Sequence, residues 1–238
     1  MSEGPGPARR AADHVVHCVE ADIRKGHLAD GATLPSERAL VARFNVSRTV
    51  IREAMRILSA RGLVETRPRY RPVVRRPTAQ AALGTLEAIA PHLLARPGGV
   101  RNLFDTRILV EAGLVRAAAL HVTRAGVAAL QAAMNANESA ISDSDAFYRT
   151  DVAFHRVLYE IADNPMLLAL HTAYTTWLAP HWSQMPRSPA RNQMNFEAHT
   201  LIFEGILRRD ADAAEAALRS HLDQAWQHVS TTFDGAKS

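Results

Sequence analysis

The sequence predicts a mainly α-helical chain in two parts: an N-terminal winged helix-turn-helix with a small β-hairpin wing, and a C-terminal all-α helical bundle. Three observations lead there. Residues 1–76 carry 15 Lys/Arg against 8 Asp/Glu, whereas residues 77–238 carry 13 against 16. Within the basic third, two short amphipathic stretches flank a tight turn and run into an arginine-rich segment broken by Pro68 and Pro72. From Thr78 to Thr232, apolar residues recur at helical spacing and no convincing strand pattern interrupts them. A chain of 238 residues that is 47% hydrophobic and 22% charged can bury two modest cores.

The elements follow in order. Val15, Val16, Val19 and Ile23 mark one face of a helix from about Arg9 to Lys25, closed by Gly26. After the turn "GHLADGATL", Pro35 and Ser36 start a short helix with Leu40, Val41 and Phe44 inward. It stops at "NV". Ser47 is the N-cap of a second helix, with Val50, Ile51, Ala54, Met55 and Leu58 on its buried face and Gly62 at its end. Leu63 to Thr66 and Val73 to Val74 form the hairpin wing, because Pro68 and Pro72 cannot continue a helix. Pro77 marks the linker. Later breaks fall at "RPGG", at "HVTRAG" with Thr123 as a cap, at "ISDSD", at "ADNP", in "MPRSPARN" and at Asp210, giving six or so helices. None is long enough to be stable alone, so they must pack on one another. The expected domains are 1–76 for the winged helix-turn-helix, 77–98 for a linker and the first helix of the C-terminal part, and 99–238 for the bundle.

Several function classes are excluded early. No apolar run approaches the roughly 20 residues needed to span a bilayer, and "MSEGPGPARR" lacks the apolar core of a signal peptide. A cytoplasmic protein without a membrane partner is expected. The single cysteine, Cys18, cannot form an internal disulfide and reads as a small core side chain.

The basic third points to a polyanion. Nine arginines lie between Arg48 and Arg76, against only Glu53 and Glu65. Arg48, Arg52 and Arg56 recur every four residues and draw a cationic stripe on the second helix. Helices in the major groove read bases through residues near their N-terminal ends, where Ser47, Arg48, Thr49 and Arg52 stand. Arginine can donate two parallel hydrogen bonds to guanine, while Ser47 and Thr49 suit phosphates. The stretch from Leu34 to Val64, with its "LPSER" entry, "VSRTVIREA" helix and "GLV" exit, resembles the winged helix-turn-helix of the GntR family of bacterial transcriptional regulators. That resemblance implies DNA contacts at Arg38, Ser47, Arg48, Thr49 and Arg52. The family's wing has a glycine at its tip where this sequence reads "RYRPVV"; Arg69 and Arg71 are the wing residues expected to meet the minor groove.

"DVAFH", Asp151 to His155, places a carboxylate and an imidazole on one helical face, a spacing able to hold a metal. His199 shares a face with Phe196, Phe203 and Ile206, and His221 with Leu218, Leu222 and Ala225, so both imidazoles should point inward. A single inward histidine is more often a satisfied core residue; the set of four is what suggests a site in a bundle. The helical part resembles the FCD ligand-binding domain of the FadR-type branch of the GntR family. The similarity rests on "RILVEAGLVRAAA", on "DVAFH" followed by "NP", on "AHTLIFEGI" and on "RDADAAEAALRSHL". It implies a divalent ion, zinc first with nickel or manganese as alternatives, held by Asp151, His155, His199 and His221. A partly open metal suits a small carboxylic acid effector, a hydroxy or sugar acid; the resemblance implies that Arg107 helps hold it, and Asn164, Asn192, Arg187 and Gln193 are candidates for contacts to its hydroxyls. Arg107 could equally be an i,i+4 partner of Glu111, and Asn164 could simply cap the next helix.

The sequence is therefore read as a ligand-responsive regulator, a repressor binding operator DNA as a homodimer. Two alternatives stay open: a DNA-tethered metalloenzyme acting on a hydroxy acid, and a regulator whose metal is purely structural. Against the enzyme stands the lack of a second carboxylate, nucleophile triad, HExxH or phosphate-cradling loop beside the ligands.

Overall fold

The computed structural model describes residues 7–67, 70–78 and 89–234. Arg69, expected at the wing tip, and residues 79–88 of the expected linker lie outside the described residues. The chain divides into two compact units, residues 1–81 and 82–238.

In the first unit, α1 (Pro7–Lys25) buries Ala12, Val15, Val16, Val19 and Ile23, one stripe at 3.6-residue spacing. Gly26 ends it at φ +82°, which a side chain rarely tolerates. In α2 (Glu37–Phe44), Ser36 Oγ accepts from the Ala39 amide at 3.2 Å, and Asn45 in the left-handed region terminates the helix. In α3 (Arg48–Ala60), Ser47 Oγ accepts from the Val50 amide at 3.3 Å, and Val50, Ile51, Ala54 and Leu58 are buried. Strands β1 (Val64–Glu65) and β2 (Val73–Val74) pair antiparallel, with Val64 opposite Val74. The first strand is shorter than the Leu63 to Thr66 expected. The loop read as a plain turn contributes more than expected, because Thr33 bridges Val73 and the Val74 amide donates to the Ala32 carbonyl at 2.8 Å. The second strand is thus hydrogen-bonded on both sides.

The second unit is helical throughout its described residues, in seven segments rather than six or so. They are α4 (Ala90–Leu94), α5 (Gly99–His121), α6 (Arg124–Ser139), α7 (Ser144–Ile161), α8 (Pro165–Trp182), α9 (Pro189–Leu207) and α10 (Ala211–Asp234). The single turn α4 falls where 77–98 was expected to hold the first helix of this part. Each expected break carries a local cause: Gly98 is at φ +75°, and Thr123, Asp143, Asn164, Ser188 and Asp210 each accept a hydrogen bond from a first-turn amide. The core joins Ile108, Val115, Leu130, Phe154, Leu158, Ile202, Ile206, Leu218 and Leu222 from five helices. α9 and α10 form a tight antiparallel pair, and a Cβ added to Gly205 would fall 2.8 Å from Ala214 backbone atoms. No described helix is long and apolar enough to cross a membrane.

Candidate functional site

Helix α3 presents its buried stripe to α1 and α2, and this alone fixes which residues face outward. Arg38, Ser47, Arg48, Thr49 and Arg52 are all exposed. Ser47 Oγ is engaged in capping. Arg52 lies 3.3 Å from Glu37 and Arg56 2.6 Å from Glu53, ion pairs on the exposed face, where solvent screens them. Arg71 is exposed, and its Nε and Nη2 donate to the Leu34 carbonyl, which ties the wing to the chain entering α2.

The four expected metal ligands converge in the second unit. Asp151, His155, His199 and His221 each offer an atom within 4.8 Å of the others. His155 and His199 are fully buried and His221 nearly so, while Asp151 keeps 19% of its side chain exposed. His221 Nε2 lies 3.2 Å from both His155 Nε2 and His199 Nε2, and Asp151 Oδ1 lies 3.4 Å from His199 Nε2.

The tautomers are set from behind. His155 Nδ1 donates to Glu111 Oε2 at 2.7 Å. His199 Nδ1 faces Asn137 Oδ1 at 2.9 Å, and the Asn137 amide is oriented because its Nδ2 donates to Thr150 Oγ1. Thr150 Oγ1 in turn donates to the carbonyls of Ala146 and Phe147, so it has only acceptor capacity left for Asn137. In their neutral forms both imidazoles aim a bare Nε2 lone pair at His221 Nε2, which can satisfy no more than one of them. Lone pairs converging in a buried site are the arrangement a cation resolves, and the donor set of three imidazoles and one carboxylate suits a borderline divalent ion.

Electrostatics agree with neutral imidazoles at His199 and His221. Burial, reinforced by the neighbouring imidazoles, holds His199 and His221 well below the usual histidine range. Burial raises the Asp151 carboxyl, with His155 and Arg107 opposing it. For Glu111, burial would raise the carboxyl, but Arg107 and His155 outweigh it and keep it ionised. Arg107 Nε donates to Glu111 Oε1 at 2.7 Å, and Tyr159 Oη donates to the same oxygen at 3.2 Å. The i,i+4 pairing of Arg107 with Glu111 is thus present, and its side chain also walls a cavity beside the ligands.

That cavity, about 290 Å³, is bounded by Arg107, Tyr148, Asp151, Trp182, Asn192 and His221. Arg107 lies over the Trp182 ring at 5.6 Å, and Tyr148 meets Trp182 edge-on at 5.2 Å. Asn192 is on the wall, its Nδ2 donating to the Ile141 carbonyl and Ser144 Oγ. Arg187 is there too. Asn164 is not: it is exposed, and its Oδ1 accepts from the Met166 amide at the start of α8. Gln193 is exposed and donates to Glu197. Sequence reasoning missed Glu111 and Asn137 as partners of the ligands, though each is a polar residue on an otherwise apolar helical stripe. It also missed Tyr148, Trp182, Arg191 and His228 on the cavity wall.

Comparison with known proteins places these two sites in context. Residues 11–74 match the family described as bacterial regulatory proteins, gntR family, and residues 102–224 match the FCD domain. The HTH-type transcriptional repressor NanR of Citrobacter rodentium is 38% identical over 224 residues, covering 92% of this chain and 85% of that protein. The repressor of the same name from Salmonella schwarzengrund is 36% identical over 221 residues, covering 92% and 84%. Among solved structures, Streptococcus agalactiae GntR superposes with a TM-score of 0.62 at 22% identity, covering 92% of this chain and 99% of that one. E. coli McbR/YncC does so with a TM-score of 0.54 at 16% identity, covering 97% and 100%. These last two establish likeness of fold alone.

Proposed function

The chain belongs to the gntR family of bacterial regulatory proteins, with an FCD domain as its C-terminal part, and from that premise we propose a transcriptional repressor that senses a small carboxylic acid at a metal-assisted site. The observation that carries this reading is the convergence of Asp151, His155, His199 and His221 at a point that opens onto a cavity walled by Arg107. A divalent ion held by those four residues supplies a Lewis-acidic point for a carboxylate oxygen. Arg107 adds a fixed positive charge beside it, which favours an acid over a neutral sugar. The relatives matched are named as repressors and not as enzymes, so the DNA-tethered metalloenzyme gives way to the sensor.

Residues 1–76 are assigned to DNA reading and 99–238 to sensing, joined by 77–98. Arg48, Thr49 and Arg52 at the start of α3 are the base and phosphate contacts, with Arg38 beside them. A homodimer would set two such helices one helical turn of DNA apart, roughly 34 Å. The acid regulates only if it binds the DNA-competent and DNA-incompetent states with different affinity.

A thermal-unfolding screen tests the sensor. Metal-loaded and chelator-stripped protein are compared against hydroxy acids, sugar acids and dicarboxylates. An acid that raises the midpoint of the loaded protein and not of the stripped one supports the reading. If chelation lowers the midpoint and no acid moves it, the metal is structural.

A further inference from the structure

The cavity beside the four ligands is longer than a carboxylate needs, and its far wall is cationic. α9 and α10 run antiparallel from the turn at residues 208–210, with His199 and His221 level with each other at 3.2 Å. Moving away from that turn, Arg191 is eight residues before His199 and His228 seven residues after His221, displacements of about 12 and 10 Å along the helices. On α7, Asp145 lies six residues before Asp151, about 9 Å in the same sense, and its carboxylate reaches Arg187 at 2.6 Å. Arg187, Arg191 and His228 all line the cavity with the ligands Asp151 and His221. Three helices thus agree on a far end about 10 Å from the ligands.

The charges at that end are not balanced. Asp145 neutralises Arg187, but no carboxylate lies within ion-pair distance of Arg191 among the described residues. One Arg191 Nη2 hydrogen bond, to the Pro186 carbonyl, anchors the half-buried side chain without cancelling its charge. Burial, and after it the charge of Arg187, disfavours the charged form of this arginine. His228 Nδ1 is buried with no hydrogen-bond partner among the described residues. An unpaired cation in a partly desolvated wall, beside an orphaned imidazole nitrogen, is the counterpart of an anionic oxygen group.

Resting on the carboxylate-sensing reading above, we propose that Arg191 and His228 form a second anion subsite, so that the effector is an elongated acid with a negatively charged group at each end. A sugar diacid and a phosphorylated sugar acid share that chemistry. A three-carbon hydroxy acid cannot reach both ends, and a sugar monoacid leaves Arg191 unpaired. At about 290 Å³ the cavity has room for a molecule of that size.

Isothermal titration of the metal-loaded full chain at fixed ionic strength decides the matter, with glucarate, 6-phosphogluconate and gluconate as probes. At least one of the two doubly anionic probes should bind tenfold or more tightly than gluconate, and which one does so distinguishes carboxylate from phosphate. Arg191→Gln should abolish that preference, weakening the preferred doubly anionic probe at least tenfold more than it weakens gluconate, and Arg191→Lys should retain part of it. If gluconate binds as tightly as both others, or Arg191→Gln weakens all three equally, the second subsite is wrong and the carboxylate sensor stands. If none of the three binds but a short hydroxy acid does, the subsite falls alone. If no acid of any length binds, both fall together.

Discussion

Replacing Glu111 by glutamine tests the scaffold behind the metal ligands, because one buried carboxylate there serves three donors. Oε1 accepts from Arg107 Nε at 2.7 Å and Tyr159 Oη at 3.2 Å, and Oε2 accepts from His155 Nδ1 at 2.7 Å. A glutamine is the same size but has one acceptor oxygen, so its amide nitrogen must face either Arg107 or His155. It also leaves Arg107, 6% exposed, without its counter-ion. Removing one partner of a buried ion pair costs about 3–5 kcal/mol, and this value is expected for Glu111→Gln in chelator-stripped protein. If the amide nitrogen turns toward His155, the imidazole must move its proton to Nε2, the atom aimed at the metal point. Loss of such a partner lowers metal affinity about 10–100-fold. The three tryptophans, Trp177, Trp182 and Trp226, all lie in the second unit, so their emission in a urea titration reports that unit without interference from the first. Metal affinity is read by competition with a chromophoric chelator. A Glu111→Leu/Arg107→Met pair should recover most of the stability but not the metal affinity. A loss under about 1 kcal/mol for Glu111→Gln, with metal affinity within about twofold of the parent, would refute the role given to this carboxylate.

Four further outcomes are expected. Gly205→Ala pushes a methyl to 2.8 Å from Ala214 backbone atoms and should destabilise the second unit by about 1–3 kcal/mol in the same urea assay. Burial lowers His171 to about 4. Below about pH 6.5 the unfolded chain therefore takes up its proton first, and stability present above 6.5 is lost as the pH falls toward 4. The loss is about 3 kcal/mol, and His171→Phe should flatten that part of the pH profile of the stripped protein. Saturating the site at a hundredfold excess of zinc over Kd should stabilise the second unit by about 2.7 kcal/mol, and His221→Ala should abolish the effect. Arg48→Ala should weaken binding to a duplex selected from random sequences by about 1–3 kcal/mol at fixed salt, measured by anisotropy, with the circular dichroism spectrum unchanged; unaltered affinity would remove this residue from the DNA contacts.

What could be read from the sequence was whatever depends on neighbours within one helical turn. Ser47, Thr123 and Asn164 cap their helices because a short polar side chain reaches an amide two or three residues on, and Gly26 and Gly62 end theirs because the chain needs positive φ there. The buried stripes of α1 and α3 and the inward faces of His199 and His221 follow from the 3.6-residue period, which needs no knowledge of what lies opposite. The meeting of Asp151, His155, His199 and His221 was legible only through family resemblance, since no local rule brings together residues up to 70 positions apart. Only packing decided the rest. Glu111 meets His155 across 44 residues and Asn137 meets His199 across 62, so their roles depend on helices being brought side by side. Arg71 donates to the Leu34 carbonyl, and Thr33 bridges Val73, because the wing folds back on the chain entering α2. The cationic far wall of the cavity belongs to the same class: Arg191 and His228 share an end of the bundle because α9 and α10 are antiparallel, a direction that periodicity along either helix cannot specify.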